Sequence, residues 1–351
     1  MYQIWLLNSD YTAAAFVDRY IALEFMTRLN DVGSCRLDLH PRETRLVSAA
    51  MVGKRLRIIR GGSIVWQGIV VRREWVKEAD AARDTFSVFA LDYAWYAAIR
   101  ITPPPAGTEY QKYTDHADDI ARAIVRANMG TGAATARQFS DLSVEADTHS
   151  CASLTFNSRY DTVLSALMRL AAGRFDWHFV PTMTGCEFQV RAPYWGLDRT
   201  KGNGINDEFV MAVDRHNIVR LQYMQDISEA RNYVYVAGQG EGIDRTIVER
   251  AGNAIAGVGR LEAFHDQRQL QLTSSLQAAG DAYLTEHRPL EVMGGKPARG
   301  TWRAGWDIGD VITFYERLPH APFACDAKIV AVRVRLDERG ETVEPEFEIA
   351  T

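Results

Sequence analysis

Basic charge is in short supply. Forty Lys and Arg face forty-five Asp and Glu, a net charge of -5, so no global positive field exists to hold DNA or an anionic membrane by counterion release. Cysteine is sparse as well. Cys35, Cys151, Cys186 and Cys325 are far apart and show no CxxC or Cys/His ligand spacing, which argues against a zinc site and a dense disulfide framework and leaves reduced, mostly buried thiols. Long apolar runs are missing too. The N-terminal MYQIWLLNSDYTAAAFVDR has no positive n-region and meets Asp10 too early for a signal core, and no later run approaches a membrane span. The expectation is a chain made and folded in a cytoplasm.

Catalytic signatures are equally thin. The eight histidines form no HExxH or HxH pattern, and no GxSxG elbow occurs. The adjacent Asp118 and Asp119 read as the charged first turn of a helix rather than a catalytic carboxylate pair. GQGEG, from Gly238, lacks the Lys-Ser/Thr of a phosphate loop and the spacing of a dinucleotide fingerprint, so it reads as a turn after a strand. No enzyme activity, cofactor or metal is expected.

What is present is ordinary packing material in quantity. With 351 residues, 47% hydrophobic and 24% charged, the chain calls for two or more packed domains. Residues 1–102 read as β throughout: the hairpin YIALEFMTRLNDVGSCRLDLHP from Tyr20, with Gly33 in its turn, then KRLRIIRGGSIVWQGIVVRREW, whose Gly61-Gly62 suits a tight hairpin turn. Pro103 to Pro105 mark a boundary. Residues 103–204 read as a small α+β unit, with one helix capped by Thr114 and carrying Asp115, Asp118 and Asp119 early, and a second from about Asp161 that buries Val163, Leu164, Leu167, Met168 and Ala171. Strand period resumes in 205–250 and again in 300–351. Between them, 251–299 looks like a helix-containing insertion, with Leu261 to His287 helical in period.

Two stretches repeat. NIVRLQYMQDISEARNYVYVAG from Asn217 has the pattern of the hairpin at Tyr20, and IGDVITFYERLPHAPFACDAKIVAVRVRL has that of VGKRLRIIRGGSIVWQGIVVRRE: an apolar-Gly pair, a strand, a turn and a strand with alternating basic residues. The fold class read from this is α+β, mainly β: two similar barrel-like antiparallel β domains, a small α+β middle domain and a helical insertion. Three copies of such a chain can form a ring of six similar faces.

Several of these motifs together resemble one family, the tail-hub proteins of long, noncontractile-tailed phages (siphophages). The likeness is carried by VGSCRLDL, the helix AxxIARAIVRAN, NYVYVAGQGEGIDR, GRLEAFHDQRQL and GWDIGDVITF, in that order and over nearly the whole chain. The resemblance implies a homotrimer whose two β domains per chain alternate round a pseudo-sixfold ring at the tail tip of the virion. That ring would join a sixfold distal tail protein or tail tube to a threefold central spike or fibre. It would surround the C-terminus of the tape-measure protein and, later, the DNA, which would pass without specific binding. Arg260, Glu262, Asp266 and Arg268 would be the polar set of the insertion, and Gly309 with Asp310 would open a strand of the second β domain, all in structural roles. WRAGW, with Trp302 and Trp306, leads into that strand, which favours core or subunit-interface packing over a stacking platform. The alternative reading is a tail-tip protein that binds glycans or hydrolyses cell wall, motivated by Trp195, Trp302 and Trp306.

Overall fold

The computed structural model describes residues 2–79, 84–317 and 322–349. Strands β1 (Tyr2–Leu7), β2 (Ala13–Val17), β3 (Ala22–Arg28) and β4 (Ser34–Leu39) are followed by helix α1 (Thr44–Ala49), then β5 (Arg55–Arg60), β6 (Ser63–Val76), β7 (Thr85–Asp92) and the short α2 (Trp95–Ala98). Gly61 and Gly62 close the β5–β6 hairpin with φ of 59° and 86°, the left-handed pair that matches the strand twist and that residues with a Cβ adopt at a cost. The α+β segment contains β8 (Gln111–His116), α3 (Ala117–Asn128), β9 (Leu142–Val144), β10 (Ser153–Ser158), α4 (Val163–Ala171), β11 (Asp176–Thr182) and β12 (Gly185–Arg191). Two short strands, β13 (Asp198–Arg199) and β14 (Val210–Met211), lead on to β15 (Ile218–Asp226).

The next residues make an excursion: β16 (Tyr233–Ala237), β17 (Ile247–Ala251), β18 (Glu262–Asp266) and α5 (Thr273–Glu286), before the chain returns along β19 (Leu290–Pro297). It closes with β20 (Val311–Arg317), β21 (Pro322–Asp337) and β22 (Gly340–Ile349). Two compact units result, Gln222–Gly294 and the remainder.

The larger unit is built on a twelve-stranded sheet in the order β13-β20-β21-β3-β4-β7-β6-β5-β1-β2, with β14 on β20 and β22 on β21. The fold is mainly β, as the alternating runs predict, but no closed barrel forms among the described residues: β21 pairs with β3, and this joins both β regions into one sheet. Nor does the proline run give the α+β segment a core of its own. Tyr93, Tyr96 and Ile69 share one hydrophobic cluster with Ile120, Ile124, Leu167, Trp177 and Phe188.

Local readings are corrected in three places. Thr114 lies in β8, so the residue that caps α3 is His116, in extended conformation and without a side-chain cap. In α4, capped by Thr162 through the Ser165 amide at 3.0 Å, Met168 faces solvent while Ala166 and Leu170 are buried. Of Leu261 to His287 only Thr273–Glu286 is helical, because Glu262–Asp266 joins a three-stranded sheet as β18.

The largest correction concerns the second hairpin. β15 and β16 are not partners: β15 pairs with β19, whereas β16 is the central strand of β17-β16-β18. Periodicity at β16 reflects a different environment. Val234 and Val236 are fully buried against Leu276 and Leu284 of α5, in the small core of the excursion. The hairpin that opens with β15 is therefore closed by β19, and the excursion lies between the two strands along the chain.

Candidate assembly surface

The internal repeat can be followed hydrogen bond by hydrogen bond. Gly53 and Gly309 precede the first strand of each copy with φ of 85° and 87°. The Gly53 amide donates to the Val70 carbonyl at 2.8 Å and the Val70 amide to the Lys54 carbonyl at 2.9 Å. In the second copy Gly309 donates to Ile329 at 2.8 Å and Ile329 to Asp310 at 2.9 Å. Further along, Ile58 faces Trp66 where Phe314 faces Cys325, and Val76 faces Thr85 where Arg335 faces Thr342. Each long strand skips one residue directly after the anchor, between Val70 and Arg72 and between Ile329 and Ala331. A bulge there bends the strand and re-aims its outer half. Residues 318–321, between β20 and β21, lie outside the described residues.

Beyond the bulge the two copies part. Ala331–Leu336 of β21 pairs with β22 on one edge and with Arg28–Leu23 of β3 on the other. The matching Arg72–Val76 of β6 pairs with β7 alone. Burial follows the pairing: Val334 is wholly buried, while Trp75, at the same register, is 65% exposed. Arg72 and Arg73 lie over Phe89 and Phe86 of β7, which leaves the backbone edge of β6 and the indole of Trp75 as the presented features. The run VVRREWV carried the signal for this edge. It is rich in β-formers and outlasts its partner β5, but register alone shows which side stays open.

The residues singled out from the sequence are scattered through the molecule. Gly33 sits in the β3–β4 turn, where a Cβ would stand 2.4 Å from Asp92 Oδ2 and 2.5 Å from the Met26 carbonyl. Its amide donates to that carboxylate at 2.9 Å. Burial pushes the Asp92 carboxyl well above the usual range, against the pull of the Gly33 and Ala94 amides. Asp310 is buried and accepts from the Leu197 amide at 2.8 Å, the Asp307 amide at 3.0 Å and Arg199 Nε at 2.9 Å. A Cβ on Gly309 would meet the Gly196 amide nitrogen at 2.6 Å. Gly309 and Asp310 together thus clamp the segment around Gly196 onto β20.

Trp302 and Trp306 are buried, with their indole N–H groups given to Asp307 Oδ1 and Thr301 Oγ1, both at 3.0 Å. They face each other across an isolated bridge, and Arg60 lies over the Trp302 ring. Rings so enclosed stabilise the approach to β20 and present no open stacking face. In the excursion, Asp266 pairs with both Arg245 and Arg268, Arg260 stacks on Tyr233 at 3.9 Å, and Arg260 approaches Glu262 at 3.9 Å. These contacts join β16, β18 and the turns beside them.

Two clusters of titratable groups draw on distant segments of the chain, although Asp118, Asp119 and Arg122 of the second are neighbours on α3. Asp141 accepts from Tyr11 Oη at 2.5 Å, Tyr96 Oη at 2.9 Å and Arg55 at 3.0 Å. Burial, then the bond to Asp141, pushes the Tyr11 phenol up to about 12. In the α+β segment the wholly buried Arg122 bridges Asp118, Asp119 and Glu145 at 2.8–2.9 Å. Burial alone would raise the Asp118 carboxyl. The Ser150 amide, Arg122, Thr148 and the Cys151 amide outweigh it and hold the group well below the usual carboxylate range. A carboxylate saturated with donors in this way locks structure.

Residues 2–347 match the siphovirus ReqiPepy6 Gp37-like protein family. The chain belongs to that family. No curated protein matches the sequence of this Gp37-like chain. Among solved structures, it is similar to the 43 kDa tail protein of prophage MuSo2 from Shewanella oneidensis, with 11% identity, TM-score 0.60, and 99% of this chain and 96% of the other covered. A tail protein from Neisseria meningitidis MC58 aligns with 13% identity and TM-score 0.59, again over 99% and 96%. A prophage tail protein from Listeria monocytogenes gives 11%, 0.51, 98% and 94%. At such identities the likeness is one of fold: the Gp37-like chain has the fold of phage tail proteins along almost its whole length.

Proposed function

We propose that this protein is the tail hub at the distal end of a siphophage tail, a structural virion component in which three copies form a pseudo-sixfold ring. The observation that carries the reading is the unequal pair of outer strand edges. In one chain β21 is met by β3, the first strand of the first repeat's hairpin. In a ring the equivalent edge of β6 is met by β15, the first strand of the second repeat's hairpin, from the neighbouring copy. The same junction then occurs six times, three times within chains and three times between them. Backbone pairing supplies the affinity, and burial of Trp75 adds apolar area.

Such a ring matches a sixfold distal tail protein or tail tube on one face and a threefold spike or fibre on the other, with the tape-measure C-terminus and then DNA in its channel. The slightly acidic chain suits a passage that does not grip DNA. The role requires no catalysis, and the buried, bonded state of Trp302 and Trp306 speaks for packing over glycan stacking.

Light scattering at several concentrations, alone and mixed with the distal tail protein, tests the reading. A trimer, or a ring with that partner, is expected; a strict monomer in both settings overturns it. Proline scanning then tests the edge. Because backbone N–H groups alternate between the two edges of a strand, one of Glu74→Pro and Trp75→Pro removes no bond to β7. That variant is expected to keep the monomer fold and lose the ring.

A further inference from the structure

We infer that Asp115, His116 and His149 form a binding site for one borderline divalent metal ion, of the zinc, nickel or cobalt class. Asp115 and His116 end β8, and His149 arrives from a loop more than thirty residues later. One ligand atom from each of the three lies within 4.8 Å of the other two. Convergence of two imidazoles and a carboxylate from separate segments gives an N2O donor set, which suits zinc and its neighbours and is poor for calcium or magnesium.

The surroundings orient the rings as ligands require. His116 Nδ1 lies 2.5 Å from the Cys151 carbonyl oxygen, which can only accept, so Nδ1 carries the proton. His149 Nδ1 lies 2.5 Å from Asp119 Oδ2, in a carboxylate already accepting from Arg122 and the Thr148 amide, and so it also donates. In their neutral forms both rings therefore keep a lone pair on Nε2. A carboxylate and a carbonyl behind the two imidazoles are the arrangement that fixes tautomer and raises ligand basicity at metal centres. Packing of the rings, with centroids 5.1 Å apart at 49°, would not by itself require both Nδ1 protons to be tied back.

The loop that delivers His149 is also pinned. His149 has a φ of 51°, a left-handed conformation that a residue with a Cβ seldom adopts. It is held between the Thr148 amide on Asp119 and the Ser150 and Cys151 amides on Asp118, at 3.0 Å each. Arg122 bonds both of those carboxylates, which leaves Asp115 to supply the negative charge facing the ion. Three protein ligands at an exposed site leave a further position for water or a donor from outside the chain.

Untagged protein titrated with Co2+ and followed by visible absorption, and with Zn2+ by calorimetry, tests the site. One ion per chain is expected, with a weakening of at least about tenfold in His149→Ala and in Asp115→Asn, both exposed positions, and no change in the control His287→Ala. Far-UV circular dichroism verifies that the variants are folded. Absence of saturable binding, or one-to-one binding that survives both substitutions, overturns the assignment.

Discussion

The strand pairs β5–β6 and β20–β21, each followed by a third strand, share a glycine anchor, a register and a bulge, yet beyond the bulge the outer half of β21 has a partner on both edges and that of β6 on one. Val334 is buried for that reason and Trp75 is exposed. The side chain at a given register answers to whether the next strand is present in the same chain. A second difference lies in the hairpins. Five residues connect β3 to β4, while three strands and helix α5 stand between β15 and β19. Similar backbone plans can thus diverge in exposure and in cargo and keep their hydrogen bonds.

The sharpest way to break the comparison is to place a carboxylate at both matched positions. Val334→Glu buries an unpaired charge and is expected to cost at least about 4 kcal/mol, enough to unfold many domains. Trp75→Glu is expected to change monomer stability by less than about 1 kcal/mol and to abolish ring formation in light scattering; equal urea midpoints for the two variants would refute the unequal edges.

The anchors come next. Gly309→Ala combines left-handed strain with a backbone clash and is expected to cost at least about 3 kcal/mol. Nothing lies within 4 Å of a Cβ on Gly53, so Gly53→Ala should show the strain alone, about 1–2 kcal/mol, in the same urea titration. Their neighbours differ less. Asp310→Ala leaves two amides and Arg199 without their acceptor, for about 2–3 kcal/mol, against under about 1 kcal/mol for Lys54→Ala, whose ammonium bonds one Asn8 oxygen. Thermal denaturation of the two variants measures the gap.

The smallest effect is expected from the largest change. Replacing 227–289 by the five-residue connection 29–33 should leave the larger unit folded and its assembly intact, as circular dichroism and light scattering would report. Loss of the ring would show that the excursion is part of the junction.

Much of this was legible in the residues. The apolar-Gly pairs Val52-Gly53 and Ile308-Gly309 mark equivalent anchors, and the Gly61-Gly62 turn, α3 and α4 lie where their patterns put them. The partner of β15 was not legible. Alternation in YVYVA looks the same whether the strand closes a hairpin or fills the centre of another sheet, and strand pairing across some seventy residues leaves no local trace. The open side of β6 was hidden for the same reason. Arg260 pairs with Glu262 at one end of β18 and Arg268 with Asp266 at the other, each pair two residues apart in the sequence, whereas Gly33, Trp302 and Gly309 owe their surroundings to chain that comes near only after folding.

The β15–β19 hairpin has one more consequence. Its antiparallel strands bring Gln225 and Glu291 into side-chain contact at 2.9 Å, so the two ends of whatever the hairpin carries are anchored side by side, about 5 Å apart as in any paired sheet. A foreign domain whose termini are adjacent would meet the same geometric requirement as a simple turn. The hairpin is in effect a mounting point, through which new modules could be displayed on the particle without rewriting the sheet beneath.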